Sequence, residues 1–345
     1  MGNRERKKRE GSVSNYRLLL LGLGGLFLVC FFGSFLLGRY AVSLQELIDV
    51  FAAMLGREVE LSSAVQATVW GVRLPRIISA AAVGASLSMA GLCYQGLFRN
   101  PMVSPDVLGA SAGAGFGAAL GILLGFSYWA TSTFAFGCGL AAVALVWVVA
   151  SQVRQSPIVG LVLGGIMVSS LFSSGISFIK LVADPNDTLP EITYWLMGSL
   201  SAIRLEEIGA ALLPMTVGAV VLFVLRWRLN LLTLSEEEAQ SLGVNTRLLR
   251  AIVVLCSTLM TAACVSVSGM IGWIGLVIPH FVRMIAGYDY RVTLPASLLL
   301  GASFMILVDD LSRTLTTSEI PLGILTSFVG APFFLYLILK EGKRQ

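Results

Sequence analysis

Groups that could move a proton or hold an ion are few in this sequence, and they sit among apolar residues. His280 is the single histidine and follows Pro279, just after the glycine-spaced stretch Gly269-Met270-Ile271-Gly272-Trp273-Ile274-Gly275. Asp309 and Asp310 lie near the end of an apolar run, with Arg313 one helical turn further on. Intramembrane carboxylates and histidines are the usual groups of an ion-coupled carrier. Here the i,i+3 and i,i+4 spacing predicts an ion pair within one helix, and His280 is expected to be a locally hydrogen-bonded group beside a helix break.

ATP chemistry would need a G-x-x-x-x-G-K-[ST] loop, whose backbone amides cradle phosphates, and none of the five lysines stands in one. The run Gly113-Ala114-Gly115-Phe116-Gly117-Ala118 matches the dinucleotide fingerprint in form, but no strand precedes it, so no dinucleotide site is expected. Cys30, Cys93, Cys138, Cys256 and Cys264 are widely spaced inside apolar runs. They lack the C-x-x-C spacings of a zinc site or a disulfide framework and read as small core residues. The chain is therefore expected to be no enzyme and to bind no metal or cofactor, and any energy for work comes from a partner ATPase or an ion gradient.

The elements that must position these residues are membrane helices. Of 345 residues, 56% are hydrophobic and 13% charged, against roughly 25% charged in soluble domains, and the mean hydropathy is +0.83. A helix crossing hydrocarbon needs about 20 apolar residues. Windows bounded by charge, Pro and Gly predict spans at 17–38, 65–97, 107–126, 129–150, 157–181, 206–226, 247–268, 273–286, 292–314 and 320–339. The first run is too long for a signal-peptide core and lacks a small-x-small site, so it reads as an uncleaved helix behind a basic segment, residues 1–16. An even number of spans returns both ends to one side, and both ends are basic: Arg4, Arg6, Lys7, Lys8, Arg9 and Arg17 open the chain, and Lys340, Lys343 and Arg344 close it. The positive-inside rule makes that side cytoplasmic, and most of the 24 basic residues then fall inside. These clusters are topology signals, and no nucleic-acid partner is expected.

Three stretches do not span. Residues 39–63 form an outer loop with Glu46, Asp49, Glu58 and Glu60, expected to be partly helical. Residues 182–207 are expected to hold a short helix at the outer surface. Residues 226–250 are cytoplasmic, and Ser235-Glu236-Glu237-Glu238-Ala239-Gln240 is a capped, acidic-start helix too polar for lipid. Gly109, Gly113, Gly117, Gly121 and Gly125 fall four apart and predict a packing stripe on the third helix. The 269–275 stretch is either a pathway element or a tight interhelical turn, since broken helices at membrane depth survive only when buried or lining a cavity. Phe98-Arg99-Asn100-Pro101-Met102-Val103-Ser104-Pro105-Asp106 is a proline-bracketed cytoplasmic turn that serves as a plain connection or a gate.

In order and spacing, these segments resemble one family. The carriers of the resemblance are Arg73-Leu74-Pro75-Arg76, Asn100-Pro101 with Pro105-Asp106-Val107-Leu108-Gly109, Gly272 to His280 with Arg283, and Glu319-Ile320-Pro321-Leu322-Gly323 with Gly330-Ala331-Pro332. From about residue 60 to 340 the chain is similar to the FecCD permeases, membrane subunits of type II ABC importers for iron-siderophores, haem and cobalamin, with some members carrying molybdate or tungstate. The resemblance implies an all-α polytopic fold of about ten transmembrane helices per subunit (17–340), a homodimer with the path at its axis, and residence in the cytoplasmic (inner) membrane of a prokaryote.

It also implies roles for residues. Arg73, Arg76 and Arg313 would dock acidic groups of an extracytoplasmic substrate-binding protein. Leu234, Glu236, Glu237, Glu238, Ala239, Leu242 and Gly243, the 234–243 segment, would couple to two ABC ATPase subunits that carry the ATP-Mg. Asn100, Met102, Gln155 and Ser156 would form the cytoplasmic gate. The implied mechanism is alternating access, with the ATPase dimer driving the permease dimer. A metal chelate is the expected cargo, an oxyanion is the runner-up, and an ion-coupled secondary transporter is the competing class.

Overall fold

The computed structural model describes residues 2–54, 56, 57, 59, 61–153, 157–234 and 236–342, and these contain helices and no strands. In order the helices are α1 (Gly2–Ser34), α2 (Leu44–Met54), α3 (Ser63–Gln66), α4 (Leu74–Leu97), α5 (Ala110–Leu123), α6 (Tyr128–Ser151) and α7 (Pro157–Val182). There follow α8 (Thr188–Met197), α9 (Leu205–Leu229), α10 (Glu236–Ser241), α11 (Thr246–Ser268), α12 (Ile274–Ala286), α13 (Tyr290–Thr314) and α14 (Leu322–Gly342). Among the described residues seven helical segments are long and apolar enough to cross a membrane: α1, the continuous Ser63–Leu97 segment, α6, α7, α9, α11 and α13. Shorter apolar helices are α5, α12 and the Leu322–Tyr336 part of α14. These ten match the ten predicted windows, while α2, α8 and α10 occupy the three non-spanning stretches.

The helices sort by what surrounds them. Windows in Ser63–Leu97, α11 and α13 are mostly buried, whereas α1, α7 and α9 turn most of theirs outward, as hydrocarbon-facing helices do. Small residues let the central helices touch backbone to backbone. A Cβ on Gly84 would lie 2.2 Å from the Gly301 carbonyl oxygen, and one on Gly91 would lie 1.8 Å from that of Gly275. Thus α4 packs directly on α13 and α12. Prolines stand inside α9, α12, α13 and α14, where neighbouring helices can satisfy the freed backbone groups.

Two expectations are corrected. The first span ends at Ser34 rather than residue 38, because the Phe35 carbonyl at the helix end accepts from the Arg73 guanidinium instead of from a further helical turn. The glycine stripe is also shorter than its spacing suggests. Gly113, Gly117 and Gly121 do face α6, at Ala142, Cys138 and Thr131. Gly109 and Gly125 lie outside α5, with φ of 78° and 71°, so they start and stop the helix in a left-handed conformation that lacks a Cβ penalty.

Candidate functional site

At one end of the bundle six charged side chains from α4, α13 and the α13–α14 turn close on one another. A π-helical stretch, Ala67–Arg73, leads into α4 and sets Arg73 and Arg76 toward α13. Arg76 Nε donates to both Asp309 oxygens, at 2.8 and 2.9 Å, and its Nη1 donates to Glu319 Oε1 at 2.8 Å. Arg313 pairs with Asp310 on its own helix, and its Nη2 reaches the Ser34 carbonyl at 2.9 Å. The Ser34 hydroxyl donates to Asp310 at 2.6 Å, tying in the end of α1. Arg73 donates to the carbonyls of Phe35 and Tyr40. A Cβ on Gly38 would stand 2.9 Å from its Nη2, so that glycine is what lets the guanidinium in.

Arg73, Arg76 and Arg313 are only 2%, 5% and 6% exposed. The three expected docking residues are therefore brought together, but into an internal network of balanced charge. Glu319 is its rim, with a side chain 32% exposed. The Asp309-Asp310-Arg313 pairing was legible from spacing, since its members share a helix. The partners Arg76, Ser34 and Glu319 come from elsewhere in the chain and left no local signal.

A second site forms where α11 breaks into α12. Residues 269–273 are non-helical; Gly269 N donates to Val265 O at 2.9 Å at the start of the break, Ile274 N donates to Gly272 O at 2.9 Å at its end, and beside it Ser199 N donates to Ser268 O at 2.9 Å. Between α8, this break and α14 runs a groove of about 700 Å³, with Met197, Met270, Trp273, Ser327, Phe328 and Pro332 in its wall and no charged side chain. Trp273 sits at φ 72°, and Gly330 makes the notch for it, since a Cβ there would be 2.5 Å from the Trp273 Cβ. The stretch expected to be either a pathway element or a tight interhelical turn thus joins α11 to α12 and supplies Met270, Gly272 and Trp273 to the groove. The His280 ring stands 6.3 Å from Phe333, edge to face.

The other end of α4 carries the third site. Past Leu97 the chain turns sharply, with Arg99 at φ 48°. Arg99 Nε donates to Leu232 O at 3.2 Å, and its Nη2 donates to Leu234 O. Asn100 N donates to Gln95 O at 3.0 Å, and Asn100 Oδ1 accepts from Met102 N at 2.9 Å. Asn100 and Met102 are exposed, while Gln155 and Ser156 lie outside the described residues. Pro105 seats on Gly275, where a Cβ would be 2.2 Å from the proline ring.

The model of the FecCD transport family matches residues 26–340. The chain belongs to that family. It is a multi-pass membrane protein and an ABC transporter permease. A curated relative, the molybdate import system permease MolB of Haemophilus influenzae, is 39% identical over 94% of this chain and 96% of its own length. The cobalamin import system permease BtuC of Halobacterium salinarum is 39% identical over 79% of this chain and 73% of its own. A solved structure described as an inward-facing conformation of a metal-chelate type ABC transporter aligns at a TM-score of 0.85 and 37% identity, covering 94% of this chain and 99% of that one.

In this FecCD permease the 234–243 segment is short and half embedded. Ala239 is buried against α11, Leu242 is 61% exposed, and Gly243 takes φ 76° to turn the chain. Glu238 is exposed, and the side chains of Glu236 and Glu237 lie outside those described. Asn245 then caps α11 by accepting from Leu248 N at 3.1 Å. Close by, Asn230 Nδ2 donates to Asp289 at 3.0 Å, and Asn230 Oδ1 accepts from Tyr290 N at 3.0 Å. Asp289 also accepts from the Arg291 side chain, which holds its carboxyl below the usual carboxylate range.

Proposed function

We propose that this chain is the permease of an ATP-driven importer that works as a homodimer in a prokaryotic cytoplasmic membrane, both termini inside, and moves a metal chelate inward by alternating access. The chelate would be of the iron-siderophore, haem or cobalamin class. The observation that carries the cargo class is the groove of about 700 Å³ at the α11–α12 break, walled by thioether, indole and phenyl groups without a charge. Such a wall suits a bulky ligand whose charge is enclosed by its own ligands, because a bare ion would lose its hydration with no compensating partner. Molybdate is the second reading, favoured by the match to MolB over nearly the whole chain. The test is uptake into proteoliposomes holding the permease, its ATPase and its binding protein, with labelled ferric chelates, haem, cobalamin and molybdate. ATP-dependent accumulation of a chelate supports the reading, accumulation of molybdate alone replaces its cargo, and accumulation driven only by an imposed ion gradient overturns its mechanism.

The exposed Leu242, beside buried Ala239, is suited to a partner's apolar cleft, and the acidic residues 236–238 to its rim. Replacing Leu242 with Asp is expected to weaken ATPase association by about 2 kcal/mol, roughly thirtyfold, as for an interface anchor. Co-purification at a fixed salt concentration reads this directly, and an undiminished complex would remove the assignment.

Docking of the binding protein centres on Arg76, with Arg73 and Arg313 holding the platform from beneath. A partner's carboxylate reaches Arg76 by taking the place of Glu319, the member of the network most open to water. The Glu319→Gln variant is expected to bind the binding protein about fivefold more tightly, near 1 kcal/mol, the scale of a half-exposed ion pair. Equal or weaker binding in a titration would count against docking at Arg76.

A further inference from the structure

We infer that Arg99 is a positioning residue, a strut that carries motion of the coupling segment into the gate loop. This rests on the reading of α10 as the ATPase contact and of Asn100 and Met102 as the gate. Two long-range hydrogen bonds leave the Arg99 guanidinium, and both end on carbonyls of the turn just before α10, Leu232 and Leu234. The same residue is the pivot of the gate loop. Its backbone is left-handed, φ 48°, a conformation that glycine adopts freely and arginine does not. Strain of this kind persists only where the surroundings enforce it.

The turn at 230–234 is anchored at its start, has the Leu232 side chain buried in the core, and is tied to Arg99 at its end. Asn230 is locked to Asp289 and Tyr290 at the start of α13, and the Tyr290 hydroxyl donates to Leu92 O at 3.1 Å, in the notch left by Gly96. That makes Asn230 the fixed point. Four residues on, the Leu234 carbonyl accepts from Arg99, on an exposed loop. A push on α10 therefore swings the turn about Asn230 and draws Arg99 with it. Behind Arg99, the loop bears on the first turn of α12 through Pro105 and Gly275, next to Trp273 in the groove wall.

The assay uses the full complex in nanodiscs, with a solvent-sensitive fluorophore on Met102→Cys and ATP with vanadate as the trigger. Arg99→Gly keeps the left-handed turn and removes the whole side chain, guanidinium included. We expect ATP hydrolysis within twofold of the parent and the trapped-state fluorescence change reduced at least fivefold. In Arg99→Lys, which keeps the charge but not the forked donor, an intermediate change is expected. Once the cysteine at position 102 carries its fluorophore, tethering Arg99→Cys to Leu234→Cys with a short bis-methanethiosulfonate, which forms each disulfide with loss of a sulfinate, is expected to restore it, which a merely structural role would not predict. A full fluorescence change in Arg99→Gly overturns the strut while leaving the gate reading in place. Absence of any ATP-dependent change in the parent removes the gate reading and the strut with it. Should Arg99→Gly not assemble, the Arg99→Lys and tethered variants decide by the same criterion.

Discussion

Asp309→Ala is expected to destabilise the permease by about 3–5 kcal/mol, the cost of breaking a buried ion pair from one side. Asp309 is 1% exposed, and it accepts both short bonds from Arg76 Nε. Without it, Arg76 keeps Glu319 at the rim, and Arg313 keeps Asp310 but loses the second carboxylate that stands 3.8 Å from its Nε. What remains is one excess positive charge, shielded from water everywhere but at the Glu319 rim. The double variant Arg76→Met/Asp309→Leu removes both charges and fills the volume, so most of the loss should return, because a buried pair and its apolar replacement are often close in energy. Melting temperature in detergent, measured for the two single variants and the double, checks this. A double variant as unstable as Asp309→Ala would show that the network contributes more than its charge balance.

Gly91→Val is the second large effect. Its Cβ would stand 1.8 Å from the Gly275 carbonyl oxygen and 2.6 Å from the carbonyl carbon, and backbone cannot step aside as a side chain can. Overpacking usually costs about 1–3 kcal/mol, and a backbone clash belongs at the top of that range. The consequence reaches function, because Gly275 also seats Pro105 of the gate loop and opens α12 just after the groove. Separation of α4 from α12 is expected to appear as loss of the monodisperse peak in size-exclusion chromatography. Gly209→Ala is the control, since nothing lies within 4 Å of a Cβ there. Equal behaviour of the two variants would show that the close approach is not needed.

Much of this was legible in the chain itself. Runs of about 20 apolar residues have no stable place in water, so composition alone dictated membrane helices and their approximate ends. Ordered motifs such as Arg73-Leu74-Pro75-Arg76 and Glu319-Ile320-Pro321 carried the family resemblance, which the match over residues 26–340 then established. Local spacing was enough for the Asp310–Arg313 pair and the helix at 236–241, because each depends on residues within about one turn.

What depended on distant partners was decided only by the tertiary structure. Topology alone placed Arg73, Arg76 and Arg313 on the outer side, and spacing offered a carboxylate partner to Arg313 alone. Folding sets Asp309 and Glu319 against Arg76 and the Phe35 and Tyr40 carbonyls against Arg73, and it buries all three arginines, since a charge leaving water must find polar partners inside. Arg99 likewise reads as one more basic residue on a loop until the turn at 230–234 arrives beside it. Periodicity and composition fix which residues are helical and which face lipid, because those are properties of neighbours in sequence. Which guanidinium meets which carboxylate or carbonyl is set by how helices dozens of residues apart are packed, and no local pattern encodes it.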